Sequence, residues 1–253
     1  MSAQPARTGR ITTRALAEVG IILVGVLLAL AIDRWMANLD ERALEAQYLE
    51  RLETNLLQDS TALDEGIAQA IGGREFGLRV VDLIENQGDT FGDTEEFFGR
   101  LETLGWFMPM EPSRETWDDL VATGRLDLLR EGEARQRLSA YYQALEQQAR
   151  TELDFDEQLE LFEVPAWTLI PPLIRLNVYP GQAVLGEHRD FGVASEADVQ
   201  QVLARIRSDP SLYGALVSAI QNHQATQIFY TGSLARLSAA LAAIRIGAER
   251  DTP

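Results

Sequence analysis

Between Val19 and Ile32 the chain runs for fourteen residues without a charged or polar side chain. Extended back to Ala15 the apolar run reaches eighteen residues, interrupted only by Glu18, and Trp35 follows three residues later. A bilayer's hydrocarbon core takes about 20 helical residues, with roughly 17 as the lower bound. An indole prefers the interfacial depth at which Trp35 would sit. The pattern predicts a transmembrane helix over 15–35. Glu18 falls in its first turn, where headgroup water and the helix N-terminus both favour a carboxylate. A carboxylate paired with a partner helix is the alternative use of that position. Gly25 and Ala29 form one small-xxx-small pair, the spacing that lets two membrane helices approach closely.

A cleaved signal peptide fits the same residues, because Ala29-Leu30-Ala31 has the small-x-small form of a cleavage site. Arg7, Arg10 and Arg14 lie before the run with no acid among them, which places residues 1–14 in the cytoplasm and the bulk of the chain in the periplasm. Arg34, Arg42 and Arg51 on the far side reduce that bias.

Beyond the apolar run the pattern becomes periodic. Neither glycine nor proline occurs from Val26 to Glu65, so the helix is expected to continue unbroken for roughly 50 Å past the bilayer. Leu49, Leu52, Leu56, Leu63, Ile67 and Ala70 then mark a single buried stripe. Gly72-Gly73 is expected to kink or end this helix, with the helical pattern resuming from Phe76 to Ile84. Asp93 with Glu96 three residues later predicts an N-cap after an acidic turn at 88–94. The acids of that turn lack the spacing of an EF-hand loop.

An apolar connection, Trp106 to Pro112, leads to a helix from about Ser113 to Thr123, closed by Gly124. A second helix is expected to carry Leu128, Leu129, Leu138, Tyr141, Tyr142 and Leu145 and to continue toward Phe162. From 161 to 195 the pattern reads as an irregular, proline-rich, apolar insertion containing Pro165, Pro171, Pro172 and Pro180. Trp167, Ile170 and Leu173 within it are candidate partner contacts. A short helix over Glu196–Arg207 and a long last helix starting at Asp209-Pro210 complete the chain. The predicted fold is all-α: one N-terminal transmembrane helix continuing into a periplasmic bundle of long antiparallel helices over 36–253.

Charge narrows the function classes. The chain has 22 basic residues, all arginine, against 39 acids, and it contains no cysteine. Residues 1–32 hold three of those arginines and one of those acids, so the remainder carries 19 arginines and 38 acids, a formal charge of −19. Such a surface repels nucleic acid. The absence of cysteine removes disulfides, thiolate metal sites and thiol nucleophiles. Arginine without lysine, beside abundant alanine, leucine and glycine, is the usage of a GC-rich bacterial genome.

The chemistry-bearing residues do not assemble into a known pattern. His188 sits in Glu187-His188-Arg189-Asp190 and reads as solvated, while His223 lies on the last helix. No phosphate loop, nucleophile elbow, His-Glu-x-x-His helix or dinucleotide fingerprint occurs. Asp118 and Asp119 are adjacent and diverge by about 100° on a helix. No catalytic residue, metal ligand or cofactor is therefore expected.

The run from Glu18 to Leu30 with Trp35, then Glu45, Tyr48-Leu49 and Leu52, form one group of residues that carries a resemblance. Thr116-Trp117-Asp118-Asp119-Leu120, Gly124 to Leu129 and Tyr141-Tyr142 form another. Together they resemble a bacterial family of single-span membrane proteins with a domain of unknown function, and Asp209-Pro210-Ser211-Leu212 resembles the family's C-terminal part. The resemblance implies an uncleaved anchor, since the family carries a polar residue near position 31; Ala31 departs from that pattern. The proline-rich stretch at 165–180 departs as well. The expected function is a non-enzymatic structural or accessory role in the bacterial inner membrane. Its partners would be the lipid bilayer and another membrane protein or a second copy of itself. An extracytoplasmic ligand-sensing module acting through a partner is the alternative.

Overall fold

The computed structural model describes residues 9–86, 90–105, 109–178 and 193–250; side chains are described from Ile22 onward, apart from short stretches inside helices. All regular structure among these residues is helical. In chain order the elements are α1 (Gly9–Glu85), α2 (Thr94–Thr103), α3 (Glu115–Ala122), a 3₁₀ turn (Leu126–Leu128), α4 (Gly132–Leu169), α5 (Pro172–Val178), α6 (Glu196–Ser208) and α7 (Pro210–Arg250).

Helix α1 has 77 residues, about 115 Å at 1.5 Å per residue. Its N-terminal portion is long and apolar enough to cross a membrane, and none of that apolar stretch is buried. Residues 22–43 are all exposed, and Glu45 is the first buried side chain. From there the predicted stripe turns inward: Leu52, Leu56, Leu63 and Ala70 are buried, and Leu49 and Ile67 pack against the same core. The helix neither kinks into a new element nor ends at Gly72-Gly73. It runs through to Glu85, and at Gly73 α7 lies so close that a Cβ would clash with His223, so this glycine serves a helix contact rather than a turn.

Helix α7 runs antiparallel to α1 and packs along both α1 and α4. The register is set by Arg245 with Glu53 at 2.8 Å near one end and Tyr213 with Glu85 at 2.9 Å near the other. Ser233 of α7 donates to Gln148 of α4 at 2.9 Å, which fixes the third helix. Two apolar cores result. The one nearer the exposed segment holds Leu52, Leu56, Trp117, Tyr141, Tyr142 and Tyr230. The distal one holds Phe76, Phe91, Phe97 and Phe98 with Ile170, Ile206 and Leu216. Phe76, Phe91 and Phe97 meet edge to face, with centroids 5.1–5.9 Å apart, a favoured aromatic geometry.

Local signals close the shorter elements. Asp93 accepts from the Glu96 amide at 2.9 Å, the expected N-cap. Ser195 and Asp198 form a reciprocal capping box at the start of α6. Asp209 accepts from the Ser211 and Leu212 amides and opens α7. Gly124, at φ +66, ends α3 in the left-handed region that a side chain resists.

Two further sequence expectations are corrected. Leu128 and Leu129 lie in and just after a 3₁₀ turn, and α4 begins only at Gly132. Of the stretch expected to be irregular, 161–195, residues 161–169 and 172–178 are helical, while 170–171 and 193–195 are not. Helix α4 continues through Pro165 to Leu169, and α5 covers Pro172–Val178. Burial overrides proline here: Phe162, Ala166, Leu169, Ile170 and Ile174 all face the distal core, and tertiary packing outweighs intrinsic propensity. The remainder of that stretch up to 192 lies outside the described residues.

Candidate functional site

The anchor residues singled out by sequence share one exposed helix. Gly25, Ala29 and Trp35 all project from α1 before the bundle begins, and Trp35 is 63% exposed. A side chain at Gly25 would meet nothing within 4 Å, so glycine there serves no packing inside this chain. The Glu18 side chain lies outside the described residues, as do Glu187, His188 and Asp190.

The bundle starts almost directly after Trp35. The Arg130 guanidinium donates to the Asn38 side chain at 2.7 Å and approaches Glu41 at 3.5 Å. Its backbone N–H donates to the buried Glu45 carboxylate at 2.7 Å, and its Nε lies 3.3 Å from the other Glu45 oxygen. One arginine from the α3–α4 connection thus clamps the first turns of α1 beyond the apolar segment.

Trp167, Ile170 and Leu173 do not form a common surface. Ile170 is buried in the distal core, which rules it out as an exposed partner contact. Trp167 is partly covered, with the Arg175 guanidinium 4.6 Å above its ring. Only Leu173 faces solvent, at 57% exposure. Arg175 also reaches the Glu102 carboxylate at 3.2 Å, a group with no exposed surface. The second Glu102 oxygen and the Trp167 indole N–H are both buried without a hydrogen-bond partner, a local deficit that each costs desolvation energy.

A second buried carboxylate ties three elements together. Asp59 of α1 accepts from the Ser113 amide and from the Tyr141 hydroxyl of α4, both at 2.8 Å. Burial pushes its carboxyl above the usual aspartate range, against the lowering effect of those two donors. Burial likewise pushes the Tyr141 and Tyr142 phenols up, with the Asp59 charge adding to it. The Tyr142 hydroxyl donates to the Ser113 carbonyl, and its ring stacks on Trp117 at 5.1 Å. Tyr48 closes the cluster from α1 by donating to Asp119 at 2.6 Å. These groups satisfy one another, so the cluster reads as a joint and not as a reactive centre.

Along α7, Asn222, His223 and Thr226 are buried between Ile220 of the distal core and Tyr230 of the proximal one, while buried Ser233 and Gln148 pair beside the proximal core. His223 donates through Nε2 to the Leu104 carbonyl at 2.9 Å. Burial holds its pKa below the usual histidine value, which keeps the ring neutral. Opposite it, Gly72 and Gly73 leave a cavity of about 260 Å³, also bounded by Gln69, Phe76 and Arg100. A second cavity of about 200 Å³ adjoins it past Gly72 and reaches Arg79 and Phe91. No group of three or more potential metal ligands converges among the described residues.

No family model, curated protein or solved structure matches this chain.

Proposed function

We propose that this protein is a non-enzymatic structural or accessory component of a bacterial inner membrane. Residues 15–35 anchor it, residues 1–14 face the cytoplasm, and the helical bundle stands in the periplasm. In this reading it belongs with the single-span family that its motifs resemble, and it binds another membrane protein or a second copy of itself. One observation carries the reading: α1 passes without interruption from a fully exposed apolar segment into the centre of the bundle. The Arg130 clamp on Asn38 and Glu45 supports it further by tying the turns of α1 just beyond the apolar segment to the rest of the bundle. A bundle so mounted presents a fixed face at a fixed height and orientation, as a scaffold for a neighbouring membrane protein requires. The Gly25–Ala29 pair offers a close-packing surface within the bilayer.

The cavity beside Gly72 favours a second reading, an extracytoplasmic ligand sensor, because it lies on the helix whose N-terminal part is the candidate span. Extraction of native membranes in mild detergent, followed by affinity purification and mass spectrometry, tests the first reading. A companion in stoichiometric amount, or a defined homo-oligomer, is expected. Recovery as a monomer without companions overturns it.

A further inference from the structure

We propose that the seam where α1, α2 and α7 meet at Gly72 binds a small zwitterion, a free α-amino acid. Arg79 and Arg100 hold its carboxylate, and Glu75 holds its ammonium group. The site goes beyond the anchored-scaffold reading and stands whether or not that reading does.

Space comes first. The two cavities, about 260 and 200 Å³, share Gly72, Phe76 and Arg100 and run from His223 outward to Arg79. Both fall below the roughly 300 Å³ at which sites for drug-sized ligands begin, so the occupant has few heavy atoms. Arg100 lies against Gly72 from α2, donating to its carbonyl at 3.5 Å, and a Cβ at Gly72 would meet the guanidinium at an ordinary 3.4 Å.

Charge selects the ligand class. Arg100 is engaged by Glu96 at 2.8 Å. Arg79 lacks a carboxylate partner among the described residues, and Glu75 lacks a cationic one. Arg79 is nonetheless held in place: it donates to the Phe91 carbonyl and lies over the Phe91 ring, 3.8 Å from its centroid. A guanidinium fixed in this way keeps further N–H donors for a carboxylate and loses little entropy on binding one. A simple anion in this seam would meet Glu75 and Glu96, and a simple cation would meet Arg79 and Arg100. A molecule carrying both charges satisfies both sets, which is the electrostatic basis of selectivity. The deep end adds no net charge, since the His223 ring is neutral and its N–H is already given to Leu104. Phe76 supplies an apolar wall there for a short side chain.

The test uses the full chain in dodecyl maltoside. The twenty standard amino acids are screened by thermal shift, because a ligand that binds only the folded state raises the melting temperature. Hits are titrated calorimetrically beside acetate and methylammonium. At least one amino acid is expected to bind saturably, and Arg79→Gln and Glu75→Gln are each expected to weaken it by about tenfold or more. Both side chains are exposed, and an unchanged circular dichroism melt shows that the variants fold. Absence of saturable binding by all twenty overturns the proposal. So does acetate binding as tightly as the amino acid with Glu75→Gln without effect, which would make the seam a plain anion site. Neither failure bears on the scaffold reading, which rests on co-purifying partners.

Discussion

The His223 ring occupies the space that a side chain at Gly73 would fill: a Cβ on Gly73 would lie 2.6 Å from His223 Cε1 and Nε2. The same relation recurs along the seam. A Cβ at Gly66 would fall 2.3 Å from the Tyr230 ring, and one at Gly77 would fall 2.4 Å from Ile220. Gly66, Gly73 and Gly77 of α1 are therefore sockets for large side chains of α7, and they fix how closely and in what register the two longest helices pack.

Substituting Gly73 with alanine sets two effects against each other. Alanine improves helix propensity by about 1 kcal/mol, while overpacking a tight contact costs about 1–3 kcal/mol. Moving His223 also breaks its bond to Leu104. Gly73→Ala is expected to destabilise by roughly 1–3 kcal/mol in urea unfolding. Gly99→Ala, where a Cβ meets nothing within 4 Å, is expected to stabilise by up to about 1 kcal/mol. Equal effects at the two sites would refute the socket reading.

The Asp59 carboxyl has a raised pKa in the folded protein, so between the ordinary aspartate value of 3.8 and that higher value the folded state binds more protons than the unfolded state. Stability contributed by this group is therefore fully present below pH 3.8 and is lost as pH rises through the folded pKa. Urea midpoints measured across this range should fall less with rising pH in Asp59→Asn than in the parent chain. Tyr141→Phe removes a donor from the buried carboxylate and should cost about 1–3 kcal/mol near neutral pH.

Arg175 is the one cation paired with the fully buried Glu102 carboxylate among the described residues. Arg175→Ala strands that charge and should cost roughly 3 kcal/mol. Glu102→Gln combined with Arg175→Ala should cost less than the two single losses added together, because the pair is one interaction. Additive losses in a double-mutant cycle would show that the two side chains act independently.

The Arg130 clamp should matter locally. Arg130→Ala releases Asn38 and leaves Glu45 with only the backbone N–H of residue 130. Hydrogen exchange should quicken over residues 38–48, while amides around Leu216 in the distal core keep their protection. Uniform quickening across the bundle would mean that the clamp supports the global fold.

The lack of cysteine makes topology directly measurable. Ser2→Cys and Ala140→Cys, each the sole cysteine, should separate in intact spheroplasts: a membrane-impermeant maleimide labels position 140 and spares position 2. The intact mass should retain the residues before Ala31. A mature chain beginning at Ile32 would instead establish a cleaved signal peptide.

Much of the architecture follows from one-dimensional patterns that need no knowledge of distant residues. The apolar run with Trp35 marks a candidate span, the Leu52–Leu56–Leu63 stripe marks the buried face of α1, and Asp93 and Asp209 mark helix starts through their own local hydrogen bonds. Asp59 is absent from the sequence-based expectations, although its place in the stripe between Leu56 and Leu63 is the signal that would have found it. Other features exist only in three dimensions. Gly72-Gly73 has the sequence of a helix break, and only the tertiary structure, with His223 of α7 against Gly73 and Arg100 of α2 against Gly72, shows the helix running on. Pro165 reads as a terminator, yet core burial on either side carries α4 past it. The seam that gathers Glu75, Arg79, Arg100 and His223 draws on three helices up to 148 positions apart. Local propensity acts over a few residues, whereas helix pairing decides which distant side chains meet, and that choice created both the sockets and the seam.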